Sequence, residues 1–149
     1  MRLLLAMLLM AALPAFAHSF EKGDLQIRHP WARATPPGTT VGVGYFEIRN
    51  NGAQPDRLLS ATSPAAKRVE MHLTEHAGEI AKMRQLRAFE VPARERLTLE
   101  PNGAHLMLVD VVQPLKKGER FPMKLRSEHA GEIDIEFEVQ EMGSRHSRH

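Results

Sequence analysis

From residue 24 onward, Gly, Pro and Asn cut the chain at intervals of about ten residues into short segments rich in Val, Ile, Leu, Phe and Thr, with no sustained helical period. That punctuation predicts an all-β fold. Strands are expected over residues 25–33, 41–50, 56–62, 66–75, 79–86, 96–99, 105–112, 120–127 and 132–141. In the last of these, Ile133, Ile135, Phe137 and Val139 alternate with Glu132, Asp134, Glu136 and Glu138, so one face is apolar and the other meets water. The run Leu106-Met107-Leu108-Val109 is apolar on both faces and is expected to lie centrally, between covering layers. Nine such strands predict an antiparallel β-sandwich or barrel of Greek-key type, built as one domain over residues 18–141.

The first residues read differently. Met1-Arg2, the apolar run over residues 3–13 and Pro14-Ala15-Phe16-Ala17 have the form of a secretory signal peptide, with Ala15 and Ala17 supplying the small-residue cleavage site. The apolar run is about half of the roughly 20 residues that a membrane-spanning helix needs. Residues 1–17 are therefore expected to be removed on export to the periplasm, leaving a monomeric protein without stable membrane insertion. Residues 142–149 read as a polar, disordered tail.

Charge excludes one class of partner. The chain carries 20 Lys and Arg against 18 Asp and Glu, a net of +2. Their signs alternate along the sequence, as on an ordinary solvated surface, so a nucleic-acid partner is not expected. Nor is an enzyme, because there is no nucleophile–base arrangement, no paired carboxylate motif and no phosphate-cradling glycine loop.

The chain has no cysteine. A disulfide framework, a zinc–cysteine site and a blue-copper centre are thereby ruled out, and any soft-metal site must use thioether sulfur. His105 and Met107, at i and i+2 of one strand, point to the same face. A second pair follows if Ala77-Gly78 forms a two-residue hairpin loop: His76 then pairs with Glu79, and His72 lies directly across from Met83. Two imidazoles and two thioethers make a neutral N2S2 set suited to Cu(I), whereas zinc, calcium and magnesium gain little from thioether sulfur.

The spacing H-x10-M-x21-H-x-M, formed by His72, Met83, His105 and Met107, resembles the metal motif of the periplasmic copper chaperone family PCu(A)C. The surrounding blocks are similar to that family as well: His29-Pro30-Trp31-Ala32-Arg33-Ala34, Gly44-Tyr45-Phe46, Asp56-Arg57-Leu58-Leu59, Lys82-Met83-Arg84 and Pro114-Leu115-Lys116-Lys117-Gly118. The resemblance implies a cupredoxin-like β-sandwich that binds one Cu(I) per monomer near its surface. It also implies delivery to the Cu(A) centre of cytochrome c oxidase, in subunit II, or exchange with a thiol-bearing assembly factor. A periplasmic copper buffer serving tolerance would carry the same site, and a metal-free immunoglobulin-like interaction module is the third reading.

Other soft or basic residues have plainer expectations. Met71, adjacent to His72, should point into the core, and Met123 should pack there too. His29 and His129 are expected at exposed turns, and His76 at the hairpin turn. Weaker Cu(II) binding has two candidate locations, the tail with Met142, His146 and His149, and the amino group and imidazole of His18 at the mature N-terminus.

Overall fold

A computed structural model of the chain describes residues 19–141. The expected signal peptide over residues 1–17, His18 and the tail residues Met142, His146 and His149 lie outside the described residues. Among the described residues eleven strands follow one another: β1 (Ser19–Lys22), β2 (Leu25–Arg33), β3 (Val41–Asn50), β4 (Asp56–Thr62), β5 (Ala66–Ala77), β6 (Ile80–Leu86), β7 (Phe89–Val91), β8 (Arg96–Thr98), β9 (Ala104–Val111), β10 (Arg120–Ser127) and β11 (Glu132–Gln140). Hydrogen bonding links them in the order β6-β5-β9-β3-β2-β11-β10-β4-β7, with β1 added on β2 and β8 on β3. The fold is all-β, as the punctuation predicted. The expected antiparallel pairing holds except that β11 runs parallel to β2. β1 and β7, only four and three residues long, carry too little alternation to stand out in the sequence.

The path curls so that its two halves face each other over one core. Phe137 on β11 stacks on Phe121 of β10 at 5.4 Å between ring centroids and meets Phe46 of β3 edge-on at 6.3 Å. These aromatic contacts tie the halves together, since each ring pair adds to the energy of simple burial. Leu106 and Leu108 of β9 lie fully buried beneath, beside Ile27, Ile48 and Leu125. Met71 and Met123 are core residues, and His29 and His129 are exposed, as expected.

Two local features decide which side chains reach the opposite, outer face. His29 adopts φ +51° where the β2–β3 register shifts between Arg28 and Trp31. This bulge reverses the alternation, so that Leu25 and Ile27 point inward before it, Pro30 and Ala32 point inward after it, and Trp31 and Arg33 face outward. Gly44 has a different role. A Cβ on it would stand 2.7 Å from Cε1 of Phe137, so only glycine lets β3 approach that ring.

A buried carboxylate closes the end of the sandwich. Asp56 Oδ1 accepts hydrogen bonds from the backbone N–H of Arg57 at 2.7 Å and His129 at 3.0 Å, and Oδ2 accepts one from Ala130 at 3.2 Å. Asp56→Ala strands those donors, at a cost of about 2 kcal/mol. Urea unfolding should show the loss as a lower midpoint with an unchanged slope, and Asp56→Asn, which keeps an acceptor oxygen, should recover part of it.

Candidate metal site

Three of the four predicted ligands, His72, His105 and Met107, share the outer face of β5 and β9. Residue by residue, β5 pairs with β9 as Glu70↔Met107, Met71↔Leu106 and His72↔His105. Met71 and Leu106 go to the core, and their neighbours go outward. The His72 and His105 rings lie 5.7 Å apart with their planes inclined by 35°. Met107, two residues from His105, shares this face diagonally from His72. β9 is central in the hydrogen-bonding order, but the expected second covering layer is missing: Leu106 and Leu108 are buried while Met107 and Val109 are partly open.

Met83 is placed differently from the expectation. The hairpin pairs His72 with Gln85 and Thr74 with Met83, so His72 does not lie across from Met83. The turn chemistry accounts for the change. Gly78 takes φ +62°, which suits the first loop position of a type II′ turn, so the loop is Gly78-Glu79 and Ala77 pairs with Ile80. A loop of Ala77-Gly78 would ask Ala77 for that conformation if the turn were of this kind. The slip is two residues, so Met83 keeps the face of His72 and moves two ladder pairs toward the turn.

Consequently Met83 and Met107 lie on opposite diagonals of His72. Their partners Thr74 and Glu70 are four residues apart on β5, about 13 Å of strand. Three expected ligands, His72, His105 and Met107, are neighbours; Met83, 54% exposed, stands off toward the hairpin tip. Beyond Leu73 the hairpin leaves the sheet as a two-stranded ribbon. It is tied back by Thr74 N–H to the Gly103 carbonyl at 3.1 Å and by His76 Nε2 to the Asn102 carbonyl at 3.1 Å. His76 itself is exposed, as a turn-proximal residue should be.

For neutral imidazoles, the hydrogen bonds of the two rings set their tautomers. A carbonyl only accepts, so His105 Nδ1–H donates to Gly103 O at 3.0 Å and Nε2 keeps its lone pair. A carboxylate likewise accepts, so His72 Nε2–H donates to Glu70 Oε2 at 2.9 Å and Nδ1 keeps its own. Both lone-pair nitrogens, His72 Nδ1 and His105 Nε2, are buried and have no hydrogen-bond partner among the described residues. Two acceptors cannot satisfy each other. Arg33 Nε and Gln140 Oε1 are also buried without a partner among the described residues, but they are a donor and an acceptor on paired residues of β2 and β11. At the two imidazoles, a cation meets both needs at once.

The surroundings support such an occupant. Arg68 Nε donates to Glu70 Oε1 at 2.8 Å, and that bond first, then the one from His72, holds the Glu70 carboxyl below the usual carboxylate range. On the other side of His105, the next position in register is Tyr45, whose ring lies 4.7 Å from that of Trp31. Burial pushes the Tyr45 phenol up, partly offset by the charge of Arg33. Among the described residues, no group of three or more His, Asp or Glu side chains could hold a metal, so a metal at His72 and His105 would draw further ligands from thioethers. Residues 25–139 match the family described as putative lipoprotein LpqE-like. The chain belongs to the LpqE-like family.

Its relatives carry the comparison further. This LpqE-like chain is 31% identical over 117 residues to a putative lipoprotein of Leifsonia xyli subsp. xyli, spanning 76% of this chain and 69% of that protein. Among solved structures, the copper-bound PCuAC domain from PmoF2 is 31% identical with a TM-score of 0.74, covering 84% of this chain and 99% of that domain. The Cu(I) form of DR1885 from Deinococcus radiodurans is 28% identical with a TM-score of 0.64, covering 85% and 83%. The LpqE-like chain therefore shares the fold of copper-binding domains.

Sequence reasoning missed two contributors to this site. Glu70 stands two residues before His72, so the same alternation that paired His105 with Met107 would have placed it on the face. The Gly103 carbonyl left no signal, because a backbone acceptor has no sequence signature.

Proposed function

We propose that this protein is an exported copper chaperone that carries one Cu(I), held by His72 Nδ1, His105 Nε2, Met107 and Met83. The observation that carries this reading is the pair of buried imidazole nitrogens without a hydrogen-bond partner among the described residues, on residues directly opposite each other across β5 and β9, with Met107 on the same face. Imidazole and thioether donors favour Cu(I) over harder cations, and a neutral ligand set matches a monovalent ion. The likeness to copper-bound PCuAC domains supports the cargo, and the leader-like sequence over residues 1–17 supports export to the periplasm.

The unequal placement of the two methionines suggests how the ion is taken up and released. His72, His105 and Met107 form one corner, and Met83 closes over it when the ribbon beyond Leu73 bends inward on its ties at Thr74 and His76. A two-stranded ribbon is marginally stable by itself, so this motion is cheap. Opening of the same ribbon exposes the ion to an acceptor, which replaces the ligands one at a time. By its resemblance to PCu(A)C proteins, that acceptor is the Cu(A) centre of cytochrome c oxidase.

X-ray absorption on the Cu(I)-loaded protein should count two nitrogen and two sulfur ligands. Met83→Leu should reduce the sulfur count to one and weaken Cu(I) binding by about 10-fold, less than loss of an imidazole, because the three remaining donors are already in place. Two sulfur ligands in the Met83→Leu protein would exclude Met83 from the site.

A further inference from the structure

The two imidazoles are oriented by different devices. His105 is held by a backbone carbonyl that no side-chain substitution removes. His72 depends on one carboxylate, which sits two residues earlier on the same strand and is therefore on the same face. Side-chain exposure is 12% for His72 and 17% for Glu70, so water competes little with their 2.9 Å hydrogen bond. The second carboxylate oxygen is occupied by Arg68, which keeps Glu70 from rotating away.

We propose that Glu70 is the positioning residue for His72: it fixes the Nε2–H tautomer, so that the bare Nδ1 faces the copper site. This rests on the copper reading of the site. Neutral imidazole has two tautomers, and without an acceptor at Nε2 the proton is free to move to Nδ1. There it would occupy the lone pair that the ion needs and would point a positive hydrogen at a cation. The carboxylate does more than choose the tautomer. A negative partner on the far nitrogen increases the donor strength of the near one, as in the carboxylate–histidine–metal arrangements of zinc enzymes. Arg68 in turn holds the positioning residue in place.

The tautomer can be read in the metal-free protein, independently of copper. Nitrogen–proton correlation spectra of the imidazoles should show His72 with a protonated Nε2 and a bare Nδ1 in the wild type. Glu70→Gln keeps an acceptor oxygen and should retain that pattern, whereas Glu70→Ala should give a tautomer mixture. Cu(I) affinity, measured anaerobically against a chromogenic chelator, should fall by about 10–100-fold in Glu70→Ala and by less in Glu70→Gln. His72→Ala serves as the reference. If Glu70→Ala keeps the wild-type tautomer and affinity while His72→Ala loses binding, the positioning role is overturned and the copper reading stands. If His72→Ala binds Cu(I) as the wild type does, the copper reading falls and this proposal with it.

Discussion

His105→Ala is expected to lower Cu(I) affinity by more than about 100-fold, beyond the range seen when only a supporting partner of a ligand is removed. His105 is the most enclosed of the four proposed ligands, at 4% exposure. Its lone pair is aimed by the Gly103 carbonyl, and its neighbour across the ladder is His72. Removing it leaves His72 Nδ1 as the one nitrogen at the site and opens the space to water. The fold should survive, because the β5–β9 ladder is made by backbone groups and by Met71 and Leu106 on the inner face. Circular dichroism should be unchanged while competition against a chromogenic Cu(I) chelator shows the loss. Wild-type affinity in this variant would remove the proposed site altogether.

The contrast between His105 and Met83 reflects what a sequence can and cannot specify. The face shared by His105 and Met107 follows from the period of two along one strand, which holds whatever the strand pairs with. The partner of Met83 depends on a turn. Ala77-Gly78 and Gly78-Glu79 are both two-residue loops, and the choice rests on where a positive φ is required, which a single glycine leaves open to either reading. Face was legible and register was not. A slip of two residues preserves the face, which explains why the four-residue constellation remained sensible although the predicted His72–Met83 contact was wrong.

The fold follows the same division. β11 was legible because every second residue from Ile133 to Val139 is apolar. That it lies parallel to β2 was not, since parallel and antiparallel edges look alike in one strand's own pattern. The outward placement of Trp31 needed the bulge at His29, and a histidine with positive φ leaves no mark in the sequence. Glu70 was hidden for a simpler reason: a glutamate on an exposed strand ordinarily faces water, and only the positions of His72 and Arg68 give it another task.

Gly44→Ala tests how far the core governs the site. Gly44 pairs with Leu106 on β9 and with Ala32 on β2, so it lies between the strand that carries His105 and Met107 and the strand that carries Trp31. The added Cβ would meet Phe137 at 2.7 Å, and that ring cannot yield easily because Phe121 stacks on it and Phe46 abuts its edge. Overpacking of this kind is expected to cost about 3 kcal/mol. For a domain of this size the thermal midpoint should fall by roughly 10 °C. Phe137→Leu makes room at that position, and in the double variant the penalty of the alanine should shrink, giving a coupling of about 1–2 kcal/mol between neighbours in contact. Because β3 would shift against β9, Cu(I) affinity should fall with stability in Gly44→Ala and return in part with the double variant. A Gly44→Ala protein as stable as the wild type would mean that β3 can move off Phe137 without disturbing the ladder beneath the metal site.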